Sequence, residues 1–136
     1  MQIIIETPKY SFFKYDLISP NRYKKVMFSP IPIIFNYGSI VGTRAQDNMP
    51  VDVIVLGPRM RQGSIIERDD NKKFDGAVHF IDDSIVDDKM IVYVRGLKSR
   101  SVLSLYFRVY ALYKIIWNLI SKRKITGCRV AGIEFY

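Results

Sequence analysis

Short apolar runs rich in β-branched and aromatic residues recur through the first two thirds of the chain. They cover Gln2–Glu6, Phe12–Leu17, Ile31–Phe35, Val51–Leu56, Ser64–Glu67, Ala77–Ile81 and Met90–Val94. Clusters of Pro, Gly, Asn and Asp, such as Ser19-Pro20-Asn21 and Asp47–Pro50, separate them, which predicts strands joined by turns. Closely spaced strands of this kind suggest a barrel or a sandwich. The polar segment Arg68–Gly76 ends in Asp75-Gly76 and reads as an exposed hairpin tip. From about Ser99 the period changes. Polar or small residues recur at Ser101, Ser104, Arg108, Ala111, Lys114, Asn118 and Ser121, in steps of three or four. They trace one narrow stripe along a helix of about 22 residues. The remaining face, with Leu103, Tyr106, Phe107, Tyr110, Tyr113, Ile116, Trp117 and Ile120, is broadly apolar. So broad an arc has two readings: one thick core contact, or burial against both the barrel and another subunit. Lys122–Lys124 follows as a basic cluster, and Cys128–Phe135 reads as a final strand. The expected architecture is α+β, a β-barrel-like domain with one long helix near its end.

Composition narrows the class. A length of 136 residues fits a single domain, 1–136, long enough to bury a core without disulfides or a structural metal. With 49% hydrophobic and 25% charged residues, a wholly disordered or collagen-like chain is excluded. The net charge of +8 favours anionic partners, whether nucleic acid, phosphorylated small molecules or a membrane surface, without choosing among them. One cysteine, Cys128, rules out an internal disulfide, and one histidine, His79, leaves no Cys/His zinc cluster. His79 sits in an apolar strand and reads as a histidine with a satisfied ring rather than a triad member. Met1–Lys9 lacks the apolar run of a signal peptide, and Val102–Ile120 is interrupted by Arg108, Lys114 and Asn118. The expectation is a soluble cytoplasmic protein with no membrane partner.

A basic chain that concentrates its few acids is informative. Asp47-Asn48-Met49-Pro50-Val51-Asp52 is a turn running into a strand, and Asp82-Asp83-Ser84-Ile85-Val86-Asp87-Asp88 is a loop leading into the strand at Met90. Each presents two carboxylates five residues apart. Hard divalent cations such as Mg²⁺ take carboxylate oxygens and keep waters for phosphate substrates. Lys14, Lys25, Lys89 and Lys114 supply cations suited to phosphate. Turn formation before proline and simple solvation account for the same acids, so both explanations stand at this point.

The segment Asp47–Gly57, DNMPVDVIVLG, resembles the D-x-D-P-x-D-V signature of family I soluble inorganic pyrophosphatases. Further similarities follow in the family's order. They are Ile3–Pro8 to its opening strand, Lys14-Tyr15-Asp16 to "KYE", Asn36-Tyr37-Gly38 to "NYG" and Gly63–Ile66 to "GSVI". Asp82-Asp83 through Asp87-Asp88-Lys89 resembles the metal loop, Tyr113-Lys114 the helix-borne "YK", and Val130-Ala131-Gly132 the closing "VxG". The resemblance implies a distorted OB-like barrel with a long C-terminal-region helix packed on it. It implies hydrolysis of pyrophosphate to two phosphates with Mg²⁺, or Mn²⁺ in its place. It makes Asp47, Asp52, Asp82 and Asp87 metal ligands, and Glu6, Asp16 and Met49 cavity-lining residues. Lys14, Lys25, Tyr37, Lys89, Tyr113 and Lys114 would hold the phosphates, with Asp52, Lys89 and Tyr37 at the chemistry. It also implies a homo-oligomer, a hexamer in bacterial members.

Three departures bear on activity. Met49 stands where the signature has its middle aspartate, and a thioether neither suits Mg²⁺ nor takes a proton. Lys25 replaces an arginine whose bidentate contact it does not reproduce. Asp16 is one methylene shorter than the family's glutamate. Three readings are ranked accordingly: a metal-dependent pyrophosphatase with weakened activity, a non-catalytic metal- and phosphate-binding or partner subunit on the same fold, and an OB-like nucleic-acid binder last.

Overall fold

The computed structural model describes residues 1–44, 48–69, 71 and 74–136. The elements run β1 (Gln2–Thr7), β2 (Phe13–Ser19), β3 (Arg22–Phe28), β4 (Asn36–Ile40), β5 (Asp52–Leu56), β6 (Ile65–Glu67), β7 (Gly76–Asp82), β8 (Ile85–Val86), β9 (Lys89–Tyr93), α1 (Arg100–Ser121) and β10 (Cys128–Phe135). Seven strands form one sheet in the order β10-β7-β9-β5-β4-β1-β6, with β8 paired onto β7; β2 and β3 form a separate hairpin. Among the described residues the two end strands do not pair, so the OB-like barrel is left unclosed by hydrogen bonding.

The centre of the sheet decides where chemistry can occur. Strand β5 reads Val53-Ile54-Val55-Leu56 without a polar break because both of its faces are covered. Ile54 and Leu56 join a cluster with Val78, Phe80 and Ile91 beneath α1, which contributes Leu103, Phe107 and Ala111. Val53 and Val55 join Ile3, Ile5, Ile40 and Val92 on the other side. The alternation is the two-residue period of a strand with two buried faces. Strand β9 runs parallel to β5, and the first residues of the two, Asp52 and Lys89, are register partners.

Most predicted strands are present within a residue or two, and α1 has the expected 22 residues. Ser99 caps it, its side chain accepting from the Val102 amide at 3.3 Å. Three expectations are corrected. Ile31–Phe35 is not a strand, although Ile33 and Phe35 are buried; Pro30 and Pro32 donate no ladder hydrogen bond, and the strand begins at Asn36. Strand β3 was not anticipated: its five exposed positions, three of them basic, hide the strand period, and it pairs with β2 across Pro20-Asn21, where Asn21 has φ 59°. Arg68–Gly76 is not a hairpin tip. β6 pairs with β1 and β7 with β10, β9 and β8, so the segment crosses between distant strands, tied by Arg68 to Asp75 at 3.2 Å. Residues 70, 72 and 73 within it lie outside the described residues. The polar stripe of α1 is also divided. Ala111 and Asn118 are buried and Lys114 points inward, while Ser101, Arg108 and Ser121 are exposed.

Gly38 on β4 shows how closely the strands approach. A Cβ there would lie 2.1 Å from the Ile4 carbonyl oxygen, a backbone atom that cannot step aside. Gly38→Ala is expected to destabilise the protein by about 3 kcal/mol, at the upper end of the usual overpacking penalty. Urea unfolding of the two proteins checks this.

Candidate active site

The parallel register of β5 and β9 brings Asp52 and Lys89 together, and the turn after β8 adds Asp87. Lys89 Nζ donates to Asp52 Oδ2 at 3.2 Å, to Asp87 Oδ2 at 3.1 Å and to the Tyr37 hydroxyl at 3.0 Å. Its side chain is 3% exposed, against 24% for Asp52 and 16% for Asp87. An ammonium so buried persists only with partners. Burial alone pulls Lys89 downward, but Asp52 and then Asp87 outweigh it and hold the ammonium well above the ordinary lysine range. For Asp52, burial pushes up, and the charges of Lys89 and Lys14 with the Tyr37 hydrogen bond bring the carboxyl below its usual value. Burial raises the Tyr37 phenol well above the ordinary tyrosine value, with Asp52 adding to the effect, so it remains a neutral donor. Lys14 Nζ lies 4.8 Å from the centre of the Tyr37 ring and Lys89 Nζ 5.4 Å.

A second pair stands beside the first. Lys114 Nζ donates to Asp82 Oδ2 at 2.5 Å, and the Cys128 thiol meets Asp82 Oδ1 at 3.2 Å. Burial raises Asp82, and the Lys114 hydrogen bond and charge more than reverse it; Lys89 lowers it further. The two pairs therefore act on each other. Glu6, at the end of β1, is 6% exposed and accepts from the Leu17 amide at 2.6 Å. Burial raises its carboxyl despite that bond, and Asp16 and Asp52 raise it further, so Glu6 and Asp16 lie within the field of the same cluster.

Other site candidates are placed differently. The Tyr113 hydroxyl is engaged by the Phe28 carbonyl at 2.5 Å, on the β2–β3 hairpin. Lys25 is exposed, 4.4 Å over the Phe13 ring of the same hairpin. Met49 is 52% exposed. Asp47 lies outside the described residues. His79 has a satisfied ring, with Nδ1 at 3.2 Å from Asp88 and Nε2 at 3.5 Å from Glu134. Cys128 and Tyr110 escaped the sequence reading. Tyr110 lies within 5.9 Å of Lys114 Nζ and in contact with Phe80. Its only signal was its position four residues before Lys114.

A family model described as inorganic pyrophosphatase matches residues 3–112. The chain belongs to that family. Its fold is shared by solved inorganic pyrophosphatases, each with 99% of this chain covered. That of Helicobacter pylori has 20% identity, a TM-score of 0.76 and 84% of its chain covered. That of Coxiella burnetii has 22%, 0.74 and 85%, and that of Thermus thermophilus 21%, 0.73 and 82%. A search of curated proteins gave no match. Family and fold make this chain an enzyme of pyrophosphate hydrolysis, and the family is metal-dependent.

Among the described residues, no three His, Cys, Asp or Glu side chains gather into a cluster that would hold an ion. The donor chemistry nevertheless fits a hard cation. Mg²⁺ is commonly held by one or two carboxylates together with substrate phosphate and waters, rather than by an all-protein cage. Asp52 and Asp87 form such a pair.

Removing the cation between them has a predictable effect. Lys89→Met leaves two partly buried carboxylates without their shared ammonium and is expected to lower stability by about 3 kcal/mol at pH 7. The pH profile of the wild type in chelator should have two limbs. Asp52 and Asp82 are lowered from 3.8, so their contribution is full above that value and is lost as pH falls below it. Glu6 is raised from 4.5, so its contribution is present below 4.5 and is lost as pH rises through its folded value. Urea melts across pH 3–8 should show stability peaking in mild acid, and Glu6→Gln should flatten the falling limb between 4.5 and 6.5, above which His79, raised by its hydrogen bond to Asp88, adds a decline of its own.

Proposed function

We propose that the cluster at the start of β5 and β9 binds pyrophosphate and cleaves it slowly to two phosphates. The observation that carries this reading is the meeting of Asp52 and Asp87, from two separate acidic segments, on the one buried ammonium of Lys89. We assign Asp52, Asp87 and Asp82, with Asp47, to Mg²⁺, or to Mn²⁺ in its place. The bound metal would supply charge neutralisation on phosphate oxygens and acidification of a water. The chain's own residues do the rest. Lys89, fixed and always charged, stabilises negative charge on the departing phosphate without reorganising. Tyr37 donates a hydrogen bond, since its phenol stays protonated. Lys14 and Lys114 hold phosphate oxygens, and Lys25 and Tyr113 reach them from the hairpin side once substrate draws them from Phe13 and Phe28. Cytoplasmic residence agrees with the free thiol of Cys128. No helix among the described residues is long and apolar enough to cross a membrane.

Met49 sets the rate. With no carboxylate at that position, nothing there orients the attacking water or accepts its proton. General-base assistance is typically worth about 10²–10⁴-fold. Met49→Asp is expected to raise phosphate release from pyrophosphate by at least about tenfold in Mg²⁺. Its melting temperature should hardly change, because the side chain is 52% exposed and a new charge there remains hydrated. No gain in rate with an unchanged melting temperature would favour a metal- and phosphate-binding protein without turnover.

We also propose that the chain assembles into a homo-oligomer, a hexamer by family resemblance. The support is the outer face of α1, where Leu105, Leu112, Ile116, Leu119 and Ile120 are 45–74% exposed. Beside them lies an apolar groove of about 440 Å³ between α1 and the segment from Ser29 to Ile34. Contiguous apolar surface of this kind marks an interface. Sedimentation velocity should show a species larger than the monomer, and Leu112→Glu should shift it toward monomer.

A further inference from the structure

The two oxygens of Asp82 are held from different elements. Lys114 reaches Oδ2 from α1, and Cys128 reaches Oδ1 from β10. Behind the thiol, Thr126 Oγ1 lies 3.7 Å from Cys128 Sγ and accepts a hydrogen bond from Asn118 Nδ2 at 3.0 Å. Asn118, Thr126 and Cys128 are 5%, 8% and 7% exposed. Apolar side chains would fill the seam between α1 and β10 without needing partners, whereas these three polar groups need one another.

Chemistry fixes the direction of the chain. The amide nitrogen of Asn118 only donates, so the Thr126 oxygen accepts and its hydroxyl proton turns to the sulfur. Asp82, ion-paired with Lys114, only accepts, so the single proton of the Cys128 thiol goes to Oδ1. Every donor in the series then points the same way, and each bond polarises the next. We infer that Asn118, Thr126 and Cys128 are positioning residues, a one-way hydrogen-bond relay that orients the Asp82 carboxylate for the cation it binds. This rests on the reading of Asp82 as a metal-binding carboxylate. Each Asp82 oxygen keeps a second lone pair, so the relay and Lys114 set the plane of the carboxylate without using up its capacity as a ligand.

The test uses the full chain stripped of metal and titrated with Mn²⁺ in a calorimeter, alongside pyrophosphate hydrolysis at varied metal. Outer partners of a ligating group typically govern 10–100-fold in metal affinity. Cys128→Ala and Thr126→Val should each weaken Mn²⁺ binding by at least about tenfold, with KM for pyrophosphate at saturating metal little changed. Cys128→Ser, which restores a donor, should recover part of the loss. Thr126→Val keeps the shape of the side chain and stands in should Cys128→Ala fail to fold. Variants that bind Mn²⁺ as the wild type does, with only a lower melting temperature, would overturn the relay. A wild type that binds no Mn²⁺ would instead overturn the assignment of Asp82 as a ligand, and the relay with it.

Discussion

One buried ammonium holds the polar end of this molecule together. Lys89 is the register partner of Asp52 across a parallel strand pair and also reaches Asp87 and Tyr37. A lysine in that position would lose its proton if it were alone, and the two aspartates would repel if it were absent. Held together, they give a cluster in which sheet geometry, rather than flexible side chains, sets the separations. The surrounding residues adjust to it: Lys14 supports the field on Asp52, and Glu6 has a raised carboxyl partly because of Asp52's charge.

The core explains why this chemistry gathers at strand ends. Both faces of β5 are sealed, one by α1 and the other by β1, β4 and β9 side chains. No polar group is admitted along the middle of the strand, so Asp52 at its first residue is where polarity resumes. The same holds for β9, whose apolar Met90–Val92 follows directly on Lys89. On the helix, Lys114 obeys the same rule: its inward stem crosses apolar surface beside Phe80 and Tyr110, and its charge emerges at Asp82.

Much of this was legible in the sequence. The acidic segments, the strand-initial Asp52 and the helix-borne Lys114 were recognisable because motif order and spacing survive where individual residues have changed. The strand error at Ile31–Phe35 arose because apolar content predicts burial, which is correct for Ile33 and Phe35, but does not reveal the missing proline donors. Strand β3 went unread because a hairpin held mainly by its partner strand buries only Met27 and so lacks the two-residue period. The relay behind Asp82 was invisible for a different reason. Asn118, Thr126 and Cys128 are spaced as an ordinary helix end and strand start, and only the packing of α1 across β10 turns them toward one carboxylate. Met49 was legible as a departure, while its exposure was not.

The parallel pairing of β5 with β9 also bears on how the chain reaches this state. Asp52 and Lys89 are 37 residues apart, with three strands threaded between them, so no local segment brings Asp52 to the Asp87–Lys89 pair. Loop-closure entropy must be met before that pairing returns any energy. Hairpins such as β2–β3 form from neighbouring residues and belong to the early, fast events, whereas the ammonium meets Asp52 only when the central sheet closes. Until then three charged groups destined for the interior remain in water. A nascent or partly folded chain is therefore free of the desolvation problem that the native cluster solves, and the site comes into being in the same step as the fold.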